Sequence, residues 1–211
     1  MRIPLVFLLA GLSFGASTVV TVDADSVIHP ITAEIVRNAL DAAERDQAAA
    51  LLLRLDTPGG LMEATRLITE SVSLAKVPVI TYVRPGGRAA SAGFFILLSG
   101  HVAAMASGTH TGAASPVLLG QPMDPVMRRK VESDSAANIR GLAARRGRNA
   151  TAAETAVLEA KSFTDQEALD AKLIDLIAAD EALLLARLDG RAVTLASGRQ
   201  VVRSEEHTSE L

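Results

Sequence analysis

Arg88-Ala89-Ala90-Ser91-Ala92-Gly93-Phe94-Phe95 is the stretch on which the reading of this chain turns. A serine stands among small residues, directly ahead of the run Phe94 to Leu98, which is apolar enough to be buried. A buried helix that starts at a serine holds that hydroxyl at its positive end, among N–H groups without intrahelical partners. Such a place can stabilise a developing oxyanion. It is equally the place of an ordinary N-cap, and on the octapeptide alone the cap is the commoner role.

The text on either side changes the balance. Upstream, Val77 to Val83 reads as a strand and Arg84-Pro85-Gly86-Gly87-Arg88 as a loop. Downstream, His101 to Ala106 is a short strand, with another expected at Thr111 to Ala114. Further upstream, Ala48 to Leu55 is a short apolar run broken only by Arg54, the pattern of a central strand buried on both faces. It runs into Asp56-Thr57-Pro58-Gly59-Gly60, where two glycines after a proline let the backbone approach another group closely. Leu61, Ala64, Leu67, Ile68, Ser71 and Val72 then trace a helix. Ile31, Ile35, Val36, Ala39, Leu40 and Ala43 trace an earlier one after His29-Pro30, with Thr18 to Val22 as the first strand.

Strands and helices therefore alternate, which predicts an α/β fold with a mainly parallel sheet. In such sheets ligands bind beyond the carboxyl ends of the strands. The Gly59-Gly60 turn and Ser91 belong on that one edge, so Ser91 has a second role to play beyond capping. Later in the chain, Leu118 to Pro125 reads as a mobile loop and Val126 to Arg146 as a partly buried helix ended by Gly147-Arg148-Asn149. Thr151 to Glu159, Thr164 to Leu169 and Glu181 to Leu188 are further helical pieces, and Leu173 to Ile177 a last strand. Thr164-Asp165-Gln166-Glu167 has capping-box spacing.

The 211 residues suffice for one domain with a sizeable core. A net charge of -3 with only 3% aromatic residues excludes the basic, aromatic-interleaved surface of a nucleic-acid binder. There is no cysteine, hence no thiol nucleophile, disulfide or thiolate zinc site. Residues 1–17 have the order of a secretory signal: Arg2, the apolar run Ile3 to Leu12, then small residues. An exported domain at 18–202 is expected after it. The run Arg203 to Leu211 breaks from the preceding text and resembles an in-frame translation of a sequencing-adapter oligonucleotide. On that reading 203–211 is non-native and the natural gene continues past Val202; the other reading is a polar tail.

Serine needs a base to become a nucleophile. Of the four histidines, His29 precedes a helix, His101 opens a strand and His207 lies in the tail, which leaves His110 as the weaker candidate. The alternative is a lysine, whose pKa falls on desolvation. Only Lys76, Lys130, Lys161 and Lys172 exist, and Lys130 is expected in the first turn of the long helix, directly after the loop. Acidic residues do not cluster with histidine at metal-ligand spacing and no phosphate-binding glycine loop occurs, so neither metal nor cofactor is expected.

Leu55-Asp56-Thr57-Pro58-Gly59-Gly60, then Gly87-Arg88-Ala89-Ala90-Ser91-Ala92-Gly93, then Met105-Ala106-Ser107-Gly108-Thr109, together resemble the NfeD family of membrane-bound serine proteases. The run Lys130-Val131-Glu132-Ser133-Asp134 through Gly147-Arg148-Asn149-Ala150 matches too, over roughly residues 18 to 200. The resemblance implies a Clp-protease/crotonase-like ββα spiral and a Ser–Lys dyad. Ser91 would attack the peptide carbonyl and Lys130 would carry the proton. The backbone N–H groups of Gly60 and Ala92 would hold the oxyanion, with Gly59 and Gly93 beside the substrate. Where Clp relatives place a histidine, this chain reads Ala114-Ser115-Pro116-Val117. The resemblance further implies a homodimer and, as substrate or partner, a stomatin- or prohibitin-like membrane protein cut in apolar segments. It places the domain on the periplasmic or extracytoplasmic face, anchored by membrane segments absent from this chain. A signal-peptide-peptidase-like enzyme of the same fold, and a catalytically silent scaffold for a stomatin-like partner, are the alternatives. An acyl-CoA enzyme of the crotonase type would need an acidic residue where Ser91 stands.

Overall fold

A computed structural model describes residues 18–117 and 123–202. The expected leader at 1–17, the tail at 203–211 and residues 118–122 of the expected loop lie outside them. In chain order the elements are β1 (Val19–Ala24), α1 (Pro30–Arg45), β2 (Ala50–Leu55), α2 (Met62–Leu74), β3 (Val79–Val83), β4 (Arg88–Ala90), α3 (Ala92–Ser99), β5 (Val102–Met105) and β6 (His110–Gly112). They continue with α4 (Pro125–Arg145), α5 (Ala150–Leu158), β7 (Ser162–Thr164), α6 (Asp165–Asp170), β8 (Leu176–Ile177), α7 (Glu181–Leu188), β9 (Ala192–Thr194) and β10 (Gln200–Val202).

The main sheet runs β1-β2-β3-β5-β8 and every neighbouring pair is parallel. Its strands are apolar on both faces, because alternate residues serve two cores. Leu51, Leu53 and Leu55 of β2 join Val79, Val83, Ala103 and Met105 under the helices α1 to α6. Ala50 and Leu52 join Ile80, Tyr82, Val102 and Ala104 against Leu184 and Leu188 of α7. The continuous apolar run at 48–55 is thus the both-sides-buried strand its composition predicts.

A second, smaller layer crosses the carboxyl ends of these strands. It contains β4, β6 and β7, with β4 parallel to β6 and β6 antiparallel to β7. Single pairings of Ile28 with Gly60 and of Thr57 with Ala89 extend it toward the start of the chain. Each early turn of the chain therefore consists of a main-sheet strand, a short extended piece in the second layer, and a helix. This is the expected spiral.

Three expectations need correction. In α2, Leu61 and Leu67, counted with its apolar face, are 46% and 41% exposed. Ile31 and Ile35, counted with the apolar face of α1, are 62% and 49% exposed. The buried face is Thr32, Ala33, Val36, Leu40 and Ala43, and at about 100° per residue the two isoleucines fall roughly a third of a turn or more from its centre. The expected loop at 84–88 stops one residue short, since β4 occupies Arg88–Ala90. Neither β4, β7 nor the β9–β10 hairpin was foreseen, because three residues carry too little period to read.

At the opposite end of the main sheet from this second layer, Arg148 closes the structure. Its guanidinium donates to the carbonyls of Leu98 and Gly100, both at 2.9 Å, and to Asp175 at 2.7 Å. Beside it, His101 accepts the N–H of Val79 through Nδ1 at 3.2 Å. Burial, with Arg146 and Arg148 nearby, pushes the His101 pKa down to about 3. An unfolded histidine takes its proton near 6.5, so between those values the unfolded chain binds the extra proton and acid favours it. Stability should fall as pH drops from 6.5, by about 2 kcal/mol at pH 5, before carboxylates titrate. Urea unfolding at pH 7, 6 and 5 should show that slope, and it should flatten in His101→Asn; an equal slope in the variant would assign it elsewhere.

Candidate active site

The site is built where β4 turns into α3. Ser91 is the linking residue, at φ 52° and ψ -113°, a backbone conformation that costs a non-glycine residue about 1–3 kcal/mol. Two hydrogen bonds hold it there: its N–H donates to Gly112 at 2.8 Å, and its carbonyl accepts from Phe94 at 3.0 Å. It stands at the N-cap position of α3, yet its side chain makes no capping hydrogen bond. The cap that the octapeptide alone favours is therefore not formed. A sharp strand-to-helix turn of this kind exposes a hydroxyl, as in the nucleophile elbow of α/β-hydrolases.

The Gly59-Gly60 turn lies directly against that serine. Gly59 has φ 126°, and a Cβ placed on it would sit 2.7 Å from Ser91 Cβ and 3.2 Å from Ser91 Oγ. A Cβ on Gly60 would lie 2.1 Å from the carbonyl oxygen of Ile28. Both glycines are there because two backbones must pass closely. Thr57, fully buried, locks the two turns together. Its N–H donates to Arg88 at 2.7 Å and its carbonyl accepts from Ala90 at 3.0 Å. Its hydroxyl accepts from the N–H of Gly59 at 3.1 Å. Its methyl group fills the space in which Gly93 has no side chain, since a Cβ there would come within 2.6 Å.

Asp56 steadies the strand that delivers Ser91. Its carboxylate accepts from the Arg84 guanidinium at 2.8 Å and from the N–H of Arg88 at 3.3 Å. Sequence reasoning assigned no work to Asp56 or Thr57, although both lie inside the quoted Leu55 to Gly60 motif. Their type was the available signal: a short acceptor and a β-branched hydroxyl ahead of a glycine turn.

Around Ser91 opens a cleft of about 230 Å³, lined by Gly60, Met62, Thr65 and Thr69 on one side and by Ala92 and Phe95 beneath. Asp134, Ser135 and Asn138 of α4 form the facing wall. Within the described residues, the N–H groups of Gly60 and Ala92 have no protein acceptor, and both residues line the cleft with Ser91. Gly59 and Gly93 lie behind it, packed on Ser91 and Thr57.

None of the described histidines lines the cleft. His110 is exposed and pairs with Arg88, two residues along β6 from the Gly112 that holds Ser91. Among the lysines, Lys76 pairs with Glu44 at 3.0 Å and Lys161 lies over the ring of Phe163. Lys130 is exposed on α4 and does not itself line the cleft. Asp134 and Asn138 do, and they stand four and eight residues beyond it, on the same helix face. That face opens on the cleft one turn before Lys130 is reached.

Comparison with known proteins agrees with this geometry. The sequence profile of the NfeD1b N-terminal domain matches residues 18–197. The membrane-bound protease PH1510 of Pyrococcus horikoshii is 39% identical over 163 residues, 75% of this chain and 37% of that protein. The chain thus spans little more than a third of that relative's length. Among solved structures, a serine-to-alanine mutant of the 1510-N membrane-bound stomatin-specific protease superposes with a TM-score of 0.83 at 34% identity, covering 92% of this chain and 95% of that one. A lysine-to-alanine mutant of the same protease, in complex with a substrate peptide, gives 0.82 at 34% identity over 90% and 88%. The 1510-N protease specific for a stomatin homologue from Pyrococcus horikoshii gives 0.75 at 34% identity, over 88% and 86%. The expected fold, a Clp-like α/β spiral with a mainly parallel central sheet, is the fold of these neighbours.

Strain and capping make opposite forecasts at Ser91. A capping serine loses about 1 kcal/mol on conversion to alanine. A strained serine that caps nothing should lose only a few tenths in Ser91→Ala and gain about 1 kcal/mol in Ser91→Gly, which tolerates positive φ. Urea midpoints of the three proteins at one pH measure the difference.

Proposed function

The chain belongs to the family of NfeD1b N-terminal domains, and from that membership together with the geometry at Ser91 we propose that it is a serine endopeptidase with a Ser91–Lys130 dyad. The observation that carries this reading is a hydroxyl held on a strained turn beside two N–H groups, those of Gly60 and Ala92, that have no acceptor among the described residues, in one cleft. A peptide carbonyl seated there would meet a nucleophile on one side and two donors on the other.

In the reaction, Ser91 Oγ forms a bond to the carbonyl carbon while Lys130 Nζ takes the hydroxyl proton. The oxyanion is stabilised by the N–H groups of Gly60 and Ala92. The C–N bond then breaks as Lys130 returns the proton to the departing amine, leaving an ester on Ser91. Water, deprotonated by the same amine, then adds to the ester carbon; the bond to Ser91 Oγ breaks as the amine returns that proton to it, releasing the acid product. Gly59 and Gly93 contribute by letting the turns approach, which brings substrate backbone close to Ser91.

Lys130 must swing inward for this. The first ten residues of α4, Pro125 to Asp134, are exposed or half-exposed, and its buried face begins only at Ser135. That part of the helix is free to close on a bound peptide, and an ammonium so taken out of water loses its proton more readily. Substrates are apolar segments of stomatin-like membrane proteins, by extension from the specificity named for the 1510-N protease. No described helix is long and apolar enough to cross a membrane. The domain acts as a homodimer on the extracytoplasmic face, anchored through segments outside this chain.

Incubation of residues 18–202 with an apolar stomatin-like peptide tests the dyad. Ser91→Ala and Lys130→Ala should each lower kcat/KM by at least about 1,000-fold, with Lys130→Arg no better, since guanidinium does not give up its proton. Undiminished cleavage by either alanine variant would remove that residue from the chemistry.

A further inference from the structure

The cleft at Ser91 does not by itself account for a preference for apolar peptide. Met62 and Phe95 line it, but so do Glu63 and Arg66 of α2 and Asp134 and Asn138 of α4. Glu63 and Arg66 pair with one another at 2.7 Å, and Asp134 and Asn138 are exposed. A wall of this mixture gives an apolar side chain little advantage over water. Further apolar surface has to come from a neighbouring element.

The first turns of α4 carry it. Val126 and Met127 are 52% and 48% exposed. At about 100° per residue, Val126 lies about 40° to one side of Lys130 and Met127 about 60° to the other. Asp134 and Asn138, which line the cleft, fall at about 40° and 80° on the same side as Met127. The face of α4 that walls the cleft therefore continues past Lys130 as two large apolar side chains. Arg129 and Glu132 lie away from it, about 100° and 160° from Lys130 in the other direction. The helix is formed at this end, because the Asp124 carboxylate accepts from the N–H groups of Val126 and Met127 at 2.9 and 3.1 Å. On the facing side of the cleft, Met62 is 51% exposed. Exposed apolar groups on both sides of one cleft, set among charges, mark a contact surface.

We propose that Val126 and Met127 are the α4 residues that select the substrate: they cover an apolar side chain of the bound peptide against Met62, and in doing so draw Lys130, on the same face, toward Ser91. The proposal rests on the peptidase reading for the identity of the occupant, and adds where selectivity is exerted. Apolar area leaves water only as α4 closes, so the gain from an apolar peptide is realised in seating the base. Discrimination then falls on kcat as well as on KM. A polar peptide enters the cleft without holding the helix down, and Lys130 stays away from the hydroxyl.

The chain has no cysteine, so a single thiol placed on α4 reports its own burial. The probe is a decapeptide of leucine and valine with a lysine at each end. In Ser91→Ala/Met127→Cys, saturation with it should slow alkylation by iodoacetamide at least about tenfold, and in Ser91→Ala/Arg129→Cys by less than about twofold. The same peptide with serine at its four central positions should protect neither thiol. With Ser91 in place, Val126→Ser/Met127→Ser should lower kcat for the apolar peptide about 30-fold and leave Tm within about 1 °C, since both side chains are exposed. Equal alkylation with and without the apolar peptide, equal protection of both thiols, protection by the serine peptide, or an unchanged kcat would each overturn the proposal. So would protection that grows with protein concentration alone, which makes the face a contact between copies of the chain, or protection by phospholipid vesicles alone, which makes it a membrane contact. The peptidase reading is scored separately, by cleavage of the apolar peptide in the parent protein. Protection at position 127 without cleavage sinks the peptidase alone; cleavage without protection sinks the covering role alone.

Discussion

The site depends on one steric fact: nothing larger than hydrogen fits on Cα of Gly59, because a Cβ there would stand 2.7 Å from that of Ser91. This lets the turn after β2 lie flat on the turn after β4, so that the Gly60 N–H and the Ser91 hydroxyl share a cleft. Thr57 makes the contact durable. Its backbone pairs with Arg88 and Ala90, and its side chain occupies the space next to Gly93. The strain at Ser91 persists because these neighbours determine its conformation from both sides. They are in turn fixed by α3, whose Phe94, Ile96, Leu97 and Leu98 are wholly buried.

The cleft consequently has one rigid wall and one adjustable wall. Gly60, Ser91 and Ala92 belong to paired backbone at the carboxyl edge of a sheet buried on both faces, where preorganisation is worth most to electrostatic catalysis. The wall from α4 is anchored only from Ser135 onward, by Ile139, Leu142 and Ala143. Beyond that anchor the helix makes little commitment to the core. On the proposed dyad, a general base mounted on such a segment would complete the site when a peptide arrives and leave the hydroxyl unactivated otherwise. Water would then be excluded by the same motion that brings the amine in.

Much of this was legible from residue order. The double-sided apolar run at 50–55 and the glycine turn behind it announce a parallel sheet with a site on its carboxyl edge. Thr164 and Glu167 form the capping box their spacing foretells, and Gly147 ends α4 at φ 68°. Ser91 itself could be read either as a cap or as a nucleophile, because both roles use the same residue at the same helix position. Only its backbone angles and the missing capping bond separate them. Asp56 and Thr57 were not legible as functional, since the partners through which they steady the Ser91 turn, Arg84, Arg88 and Ala90, are distant in sequence. Lys130 owed its place to family resemblance, and helical period alone connects it with Asp134 and Asn138.

The central claim is that the strained turn presents Ser91 as a nucleophile. Treatment with a fluorophosphonate, followed by intact mass measurement and peptide mapping, reads that property directly, because only an activated serine displaces fluoride from phosphorus. A single adduct on Ser91, formed much more slowly in Lys130→Ala, is the result expected. No adduct, or an adduct on another serine with Ser91 unmodified, would contradict the account.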